Sequence, residues 1–162
     1  MGKPTTKAIA KTTNKDYNNP MKFISNSPEE TMKFAEKVAA LCKGNEVILL
    51  SGDLGAGKTT FTKGFALGLG ISATITSPTF TLMKTYKDGR LTLYHFDLYR
   101  AISEDDVEEL GFEEYFNDGG VCVIEWNKFN NFPGKVIKIN FTYGDGDVRA
   151  IETEGLDESS LR

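Results

Sequence analysis

A glycine-rich run with one lysine and two threonines is the part of this sequence best suited to chemistry. The run Gly-Asp-Leu-Gly-Ala-Gly-Lys-Thr-Thr begins at position 52, and its first eight residues match the pattern G-x-x-x-x-G-K-[ST]. Its glycines allow unusual backbone dihedrals and let main-chain N–H groups approach a ligand. Lys58 supplies a positive charge for the β- and γ-phosphates of a nucleotide, and Thr59 offers a hydroxyl to Mg²⁺. The predicted phosphate site consists of Gly52, Asp53, Leu54, Gly55, Ala56, Gly57, Lys58, Thr59 and Thr60.

Two acidic residues stand where a nucleotide-bound metal ion needs a partner. Asp97 follows the apolar run that begins at Leu91, and Glu125 follows the run that begins at Val121. In proteins with this loop, a carboxylate at the end of a buried strand holds Mg²⁺ or orients the attacking water. Asp97 and Glu125 could divide these two roles in either order. The alternative for each is an ordinary capping carboxylate.

Three polar residues and one tryptophan suit a nucleotide sensor or a partner contact. Ser77 and Thr79 lie in a polar, proline-containing loop, where many proteins of this type keep a switch segment that senses the γ-phosphate. The alternative is a plain connecting loop. Arg100 could neutralise phosphate charge or form a salt bridge with an acidic neighbour. Trp126 could cover the nucleotide, dock a partner or pack at the rim of the core.

A strand and a helix must hold this loop in place. Residues 46–51 read Glu-Val-Ile-Leu-Leu-Ser, an apolar run typical of a buried strand. Residues 58–69 carry Phe61, Phe65 and Leu69 at helical spacing. The predicted order of strand, loop and helix is the context that the glycine pattern requires.

The rest of the chain predicts further strands and two more helices. One helix begins after Ser27 and ends at Gly44, and another begins after Ser103 and ends at Gly111. The dipeptide at positions 88 and 89, Asp-Gly, predicts a two-residue hairpin turn between two strands. We therefore expect an α/β fold of the P-loop NTPase type, with three layers and a mixed, mainly parallel sheet that carries antiparallel hairpins. The predicted strands are 22–25, 46–51, 80–87, 90–97, 121–125, 135–143 and 148–154.

Composition narrows the class of protein. The 162 residues and 40% hydrophobic content suit one folded domain. No apolar run reaches the length of a membrane span, and no secretory signal is visible. Cys42 and Cys122 lack metal-like spacing, which indicates buried free thiols and a cytoplasmic protein. The single histidine, His95, excludes a multi-histidine metal site.

The charge is distributed unevenly along the chain. Residues 1–20 hold four lysines against one aspartate, so the remainder is more acidic than the formal net charge of −4. An acidic body is a poor direct binder of nucleic-acid phosphates. Residues 1–20 are expected to be a disordered extension or leader, and residues 21–162 a single domain. The acidic stretch 104–118 predicts a solvated helix face, or alternatively a docking face for a basic partner.

Four segments together resemble the bacterial TsaE (YjeE) family, the ATPase subunit of tRNA threonylcarbamoyladenosine biosynthesis. They are residues 52–60, the run Ser-Pro-Thr-Phe-Thr-Leu at 77–82, the run His-Phe-Asp-Leu-Tyr-Arg at 95–100, and Ile-Glu-Trp at 124–126. The glycine-rich loop alone occurs in many proteins, whereas its combination with the other three is specific to this family. The resemblance covers about residues 22–153.

The resemblance implies ATP and Mg²⁺ as cofactors and an ATP hydrolase that is weak alone. It also implies a partner transferase complex of two related protein subunits. One of them transfers the threonylcarbamoyl group to the adenosine next to the anticodon, so that this chain reaches tRNA only indirectly.

The resemblance also implies roles for individual positions. Those matching Thr59 and Glu125 serve Mg²⁺, and Thr31 matches a position near the adenine end of the nucleotide. The positions matching Lys58, Asp97 and Trp126 are needed for function, and Tyr99 and Arg100 lie in a matching segment.

Two other functions would use the same loop. The first is a nucleotide-gated binding module with negligible turnover, in which ATP only fixes the switch loop for docking. The second is a small-molecule kinase, which usually needs an arginine-bearing lid that this sequence does not show.

The run at 127–130, Asn-Lys-Phe-Asn, lacks the aspartate of guanine-reading motifs, which favours ATP over GTP.

Overall fold

The computed structural model describes residues 21–53, 55–78, 81–101, 107–108 and 111–161, which form a seven-stranded mixed sheet. The strand order is β1-β7-β6-β2-β5-β4-β3. The β2–β5, β2–β6 and β4–β5 pairs are parallel, and β1–β7, β3–β4 and β6–β7 are antiparallel. The predicted α/β class with a mixed sheet is confirmed, with equal numbers of parallel and antiparallel pairs. The strands are β1 (Met21–Ser25), β2 (Val47–Ser51), β3 (Met83–Tyr86), β4 (Leu93–Asp97), β5 (Val121–Glu125), β6 (Val136–Tyr143) and β7 (Arg149–Glu154).

Two α-helices flank the glycine-rich loop in sequence, α1 (Pro28–Leu41) and α2 (Lys58–Gly68). The start of α1 is the one predicted, because the Ser27 side chain accepts a hydrogen bond from the Glu30 N–H at 3.2 Å. The Glu30 carboxylate accepts one from the Asn26 N–H at 2.6 Å. Helix α1 ends at Leu41, three residues before the predicted Gly44.

The core lies on both faces of the sheet. On one face, buried side chains of α1 and α2, among them Val38, Phe61 and Phe65, pack against β2 and β5. On the other face, Phe96 and Phe116 belong to an aromatic cluster that also includes residues of β4 and β5. A 3-10 helix, Phe112–Asn117, lies on this second side. The alternation of side chains along β4 and β5 therefore divides their residues between two cores.

The predicted two-residue turn at Asp88 and Gly89 is wrong. Strand β3 pairs Tyr86 with Leu93 of β4, so six residues connect the two strands. The Asp88 carboxylate is bound by the Ser72 N–H at 3.1 Å and the Ser72 hydroxyl at 2.9 Å. These tertiary contacts hold the connection against the segment after α2 and prevail over the local hairpin preference.

Several sequence predictions lie partly or wholly outside the described residues. Residues 1–20 are among them, so the extension stays a prediction. Of the predicted helix between Ser103 and Gly111, only 107 and 108 are described, and both are helical. Cys42 and Cys122 are buried free thiols, as expected. Within the part of the chain that the structure describes, every helix is too short or too polar to span a membrane.

Close contact between α1 and α2 depends on Gly64. A Cβ atom on Gly64 would lie 2.5 Å from the Met32 carbonyl oxygen and 2.6 Å from its Cα atom. We expect Gly64→Ala to lower the free energy of unfolding, because separating the two helices costs about 1–3 kcal/mol. This loss should exceed the gain of roughly 1 kcal/mol in helix propensity. Urea unfolding measures it.

Lys63→Ala is the matched control, since Lys63 is exposed on the same helix. Its effect should stay within about 0.5 kcal/mol. A Gly64→Ala variant as stable as the wild type would contradict the proposed helix contact.

Candidate functional site

The glycine-rich loop leaves β2 and enters α2 through three left-handed glycines. Their φ angles are 137° at Gly52, 79° at Gly55 and 116° at Gly57. Residues with a Cβ atom rarely adopt such values. At Gly52 there is a second reason for glycine, because a Cβ atom would lie 2.7 Å from the Phe141 carbonyl oxygen of β6. The pattern of glycines is therefore set by the backbone path and by packing against β6.

The N-terminus of α2 opens towards this loop without a side-chain cap. Gly57 is the N-cap residue, and it has no side chain to bind the first N–H groups of the helix. These N–H groups and the helix dipole create positive potential, which favours an anion. The loop and helix thus have the local geometry of a phosphate site.

Lys58 is buried and turned back over the loop. The whole residue has a relative exposure of 5%. The Nζ atom donates a hydrogen bond to the Gly52 carbonyl oxygen at 2.9 Å and lies 4.0 Å from the centroid of the Trp126 ring. The carbonyl and the aromatic face together replace part of the water that this ammonium group has lost. Trp126 itself has a φ angle of 56°, an uncommon conformation for a bulky residue.

The two predicted carboxylates are direct neighbours in the sheet. Asp97 and Glu125 end the parallel strands β4 and β5 and are register partners. Glu125 is buried, and its Oε2 atom lies 2.7 Å from the Nε2 atom of His95. Burial raises the pKa of Asp97, and the nearby Glu125 carboxylate raises it further, against a hydrogen bond from the Tyr99 N–H at 3.0 Å.

Loop, helix terminus and carboxylates meet at one pocket of about 200 Å³. It adjoins a wider groove of about 570 Å³, and Lys58 and Trp126 line both. Tyr99 lines the groove and contacts Trp126, with ring centroids 5.0 Å apart. We call the smaller space the phosphate pocket; it is lined by Gly55, Gly57, Lys58, Thr59, Thr60, Ser77, Asp97, Glu125 and Trp126.

The remaining predicted site residues fall in different places. Arg100 lies beside the phosphate pocket, in a cavity of about 190 Å³ that it lines with Ser77 and Asp97. Leu54 and Thr79 lie outside the described residues. Three predicted residues of the glycine-rich loop do not line the phosphate pocket: Gly52, Asp53 and Ala56.

Thr31 lies in the first turn of α1, away from the lining of both the phosphate pocket and the groove. It is buried, and its hydroxyl lies 2.6 Å from the Ser25 hydroxyl. Its assignment to the adenine end of a nucleotide stays a prediction.

Sequence reasoning missed two residues that the structure brings to the site. His95 binds Glu125, and Tyr143 places its hydroxyl 3.0 Å from the position of a Cβ atom on Gly55. His95 stands two residues before Asp97 and so points to the same face of β4. That spacing could have placed His95 on the same face as Asp97, but its contact with Glu125 follows only from the pairing of β4 with β5. Tyr143 comes from the far end of β6, and no local pattern marks it.

Comparison with known proteins gives consistent matches. A family model described as "Threonylcarbamoyl adenosine biosynthesis protein TsaE" matches residues 25–151. A Bacillus subtilis protein named "tRNA threonylcarbamoyladenosine biosynthesis protein TsaE" is 56% identical over 106 residues. These residues cover 65% of this chain and 66% of that protein, so the match spans slightly less than two thirds of the relative's length. A Rickettsia conorii protein of the same name is 48% identical over 144 residues, covering 84% of this chain and 82% of its own.

Comparison with solved structures agrees with the sequence matches. The crystal structure of YdiB from Bacillus subtilis superposes with a TM-score of 0.69 at 41% sequence identity. The match covers 88% of this chain and 91% of YdiB. Both the sequence and the architecture are therefore shared over most of the chain.

The environment of Asp97 predicts a gain in stability when its charge is removed. The pKa of Asp97 is raised above 3.8 in the folded protein, so folding favours its protonated form. At neutral pH the ionised carboxylate therefore destabilises the fold. We expect Asp97→Asn to raise the free energy of unfolding at pH 7 and, with it, the Tm. The gain should vanish as the pH falls below about 4, where both states are protonated.

Asp88→Asn is a control of opposite sign. Hydrogen bonds from Ser72 lower the pKa of Asp88, so the ionised form stabilises the fold above pH 3.8 and its loss should destabilise the protein at pH 7. Thermal unfolding from pH 3 to pH 8 measures both variants. If Asp97→Asn were less stable than the wild type at pH 7, the destabilising role of the Asp97 charge would be refuted.

Proposed function

Because the chain belongs to the TsaE family of threonylcarbamoyl adenosine biosynthesis proteins, we propose that it is an Mg²⁺-dependent ATPase that serves this tRNA modification. The observation that carries the proposal is the convergence of Lys58, Thr59, Asp97 and Glu125 on the phosphate pocket. Binding of triphosphate, binding of a divalent ion and activation of water each need one of these groups.

The donor atoms in the pocket fit Mg²⁺. Thr59 offers a hydroxyl oxygen and Glu125 a carboxylate oxygen, and hard oxygen ligands are those that Mg²⁺ prefers. Mg²⁺, when bound, neutralises charge on the β- and γ-phosphate oxygens. Glu125 is already held by His95, which favours Glu125 for the metal ion and Asp97 for water.

Each residue then has a definite task in hydrolysis. The Lys58 ammonium and the N–H groups of the loop bind the phosphates. Asp97 orients a water molecule and accepts its proton, a role that a raised pKa favours. The water oxygen bonds to the γ-phosphorus, the bond to the bridging oxygen breaks, and ADP and phosphate leave.

We also infer that the chain reaches tRNA only through partner proteins and that it acts in the cytoplasm. The formal net charge of −4 disfavours direct binding to an RNA backbone, which supports action through a transferase complex of two related protein subunits. The two buried free thiols fit a reducing compartment.

Hydrolysis is tested by single-turnover release of phosphate from ATP, with and without the partner complex. We expect Lys58→Ala to reduce the rate at least about 100-fold, because it removes the charge over the phosphates. Lys63→Ala, exposed on the same helix, should match the wild type. Phosphate release by Lys58→Ala at the wild-type rate would refute the mechanism. Absence of release from the wild type in both conditions would leave the nucleotide-gated binding module as the function.

The contact between Lys58 and Trp126 offers an independent measurement of binding. Trp126 is the only tryptophan, and the Lys58 ammonium lies 4.0 Å from its ring centroid. A nucleotide that recruits Lys58 to its phosphates must draw the ammonium away from the ring. We expect ATP with Mg²⁺ to change the emission of Trp126 in the wild type, and Lys58→Met to abolish most of this change. An equal change in both proteins would show that the emission change does not depend on the contact between Lys58 and Trp126.

A further inference from the structure

His95 and Glu125 form a buried pair between neighbouring strands. Their strands, β4 and β5, are parallel, and the register places His95 beside Val123 and Asp97 beside Glu125. The two side chains therefore meet diagonally on the face that carries α1 and α2. His95 is fully buried and Glu125 is 4% exposed, and 2.7 Å separates Nε2 from Oε2.

The second nitrogen of His95 indicates a role beyond packing. Nδ1 is buried and has no hydrogen-bond partner among the described residues. A neutral imidazole with its proton on Nε2 donates to Glu125 and leaves only a lone pair unsatisfied. Even so, an unpaired buried polar atom is unfavourable, and an apolar side chain would avoid it. The contact that His95 does make is with the one buried carboxylate that lines the phosphate pocket.

The contact restricts how Glu125 can lie. The bond from His95 engages Oε2 and restrains the orientation of the carboxylate at the pocket that Glu125 lines. A buried carboxylate without this donor would lose its fixed orientation and a hydrogen bond that compensates for lost water.

We propose that His95 is a positioning residue that holds the Glu125 carboxylate in the orientation needed to bind the metal ion of the nucleotide complex. This rests on the proposed Mg²⁺ site. Hydrogen-bonded partners of metal ligands typically change metal affinity by about 10- to 100-fold when they are removed. His95 should act on the metal ion and not on the phosphates, which Lys58 and the loop bind.

The test compares His95→Leu, which removes the donor, with His95→Gln, whose amide N–H can take the place of Nε2. Mn²⁺ binding to each protein in complex with a non-hydrolysable ATP analogue is followed by electron paramagnetic resonance. Affinity for the analogue in EDTA is measured separately. We expect His95→Leu to weaken Mn²⁺ about 10- to 100-fold and to keep the EDTA affinity within about twofold. His95→Gln should recover most of the Mn²⁺ affinity.

Leu93→Val is the matched control, because Leu93 is buried on the same strand and face as His95. It should leave the Mn²⁺ affinity unchanged, and thermal unfolding verifies that each variant is folded. Wild-type Mn²⁺ affinity in a folded His95→Leu, or equal losses in the Leu and Gln variants, would overturn the role of His95 alone. If His95→Leu does not fold, His95→Phe, which keeps an aromatic ring but has no donor, takes its place: wild-type Mn²⁺ affinity there overturns the proposal, and a loss that His95→Gln recovers supports it. A wild-type complex that binds no Mn²⁺ would refute the proposed metal site and this inference with it.

Discussion

Parallel pairing of β5 with both β2 and β4 is the constraint on which the site depends. Parallel strands end at the same edge of a sheet, so the loop after β2 meets the ends of β4 and β5. The register then sets Asp97 beside Glu125. A slip of one residue would turn Glu125 towards the opposite, aromatic core and remove it from the phosphate pocket. The site is thus a consequence of the sheet, and no single loop could create it.

The same edge of the sheet collects ionisable side chains that are largely shielded from solvent. Lys58, His95 and Glu125 are all buried there, and Asp97 lies beside them. Each buried group has a specific compensation: a carbonyl oxygen and an aromatic ring for Lys58, and a mutual hydrogen bond for the other two. Compensation is incomplete, because burial and Glu125 raise the pKa of Asp97 and the Nδ1 atom of His95 is unpaired in the described structure. Such residual cost is typical of functional sites, where stability is lost for chemistry.

The sequence predicted the features that depend on local patterns. The glycine-rich loop, the Ser27 cap and the two acidic strand ends all follow from short motifs or from hydrophobic runs, and the structure confirms their positions. The hairpin turn at Asp88 failed because Ser72, 16 residues away, binds that carboxylate. The role of His95 was missed for a related reason. Only the pairing of β4 with β5 brings it to Glu125, and pairing between distant strands leaves no signal in a local window.

The position of Lys58 connects the proposed nucleotide site to the groove outside the pocket, because Lys58 lines both. Its hydrogen bond to Gly52 and its contact with Trp126 are each worth about 2 kcal/mol for a buried ammonium group, and the proposed phosphates would have to replace both. Trp126 also lines the groove and contacts the exposed Tyr99. A partner that shifts these two rings would therefore change the free energy of holding Lys58 in its resting position. Under the proposed function, nucleotide affinity and partner contact would be coupled through one side chain, whether the bound ATP is hydrolysed or only fixes a docking state.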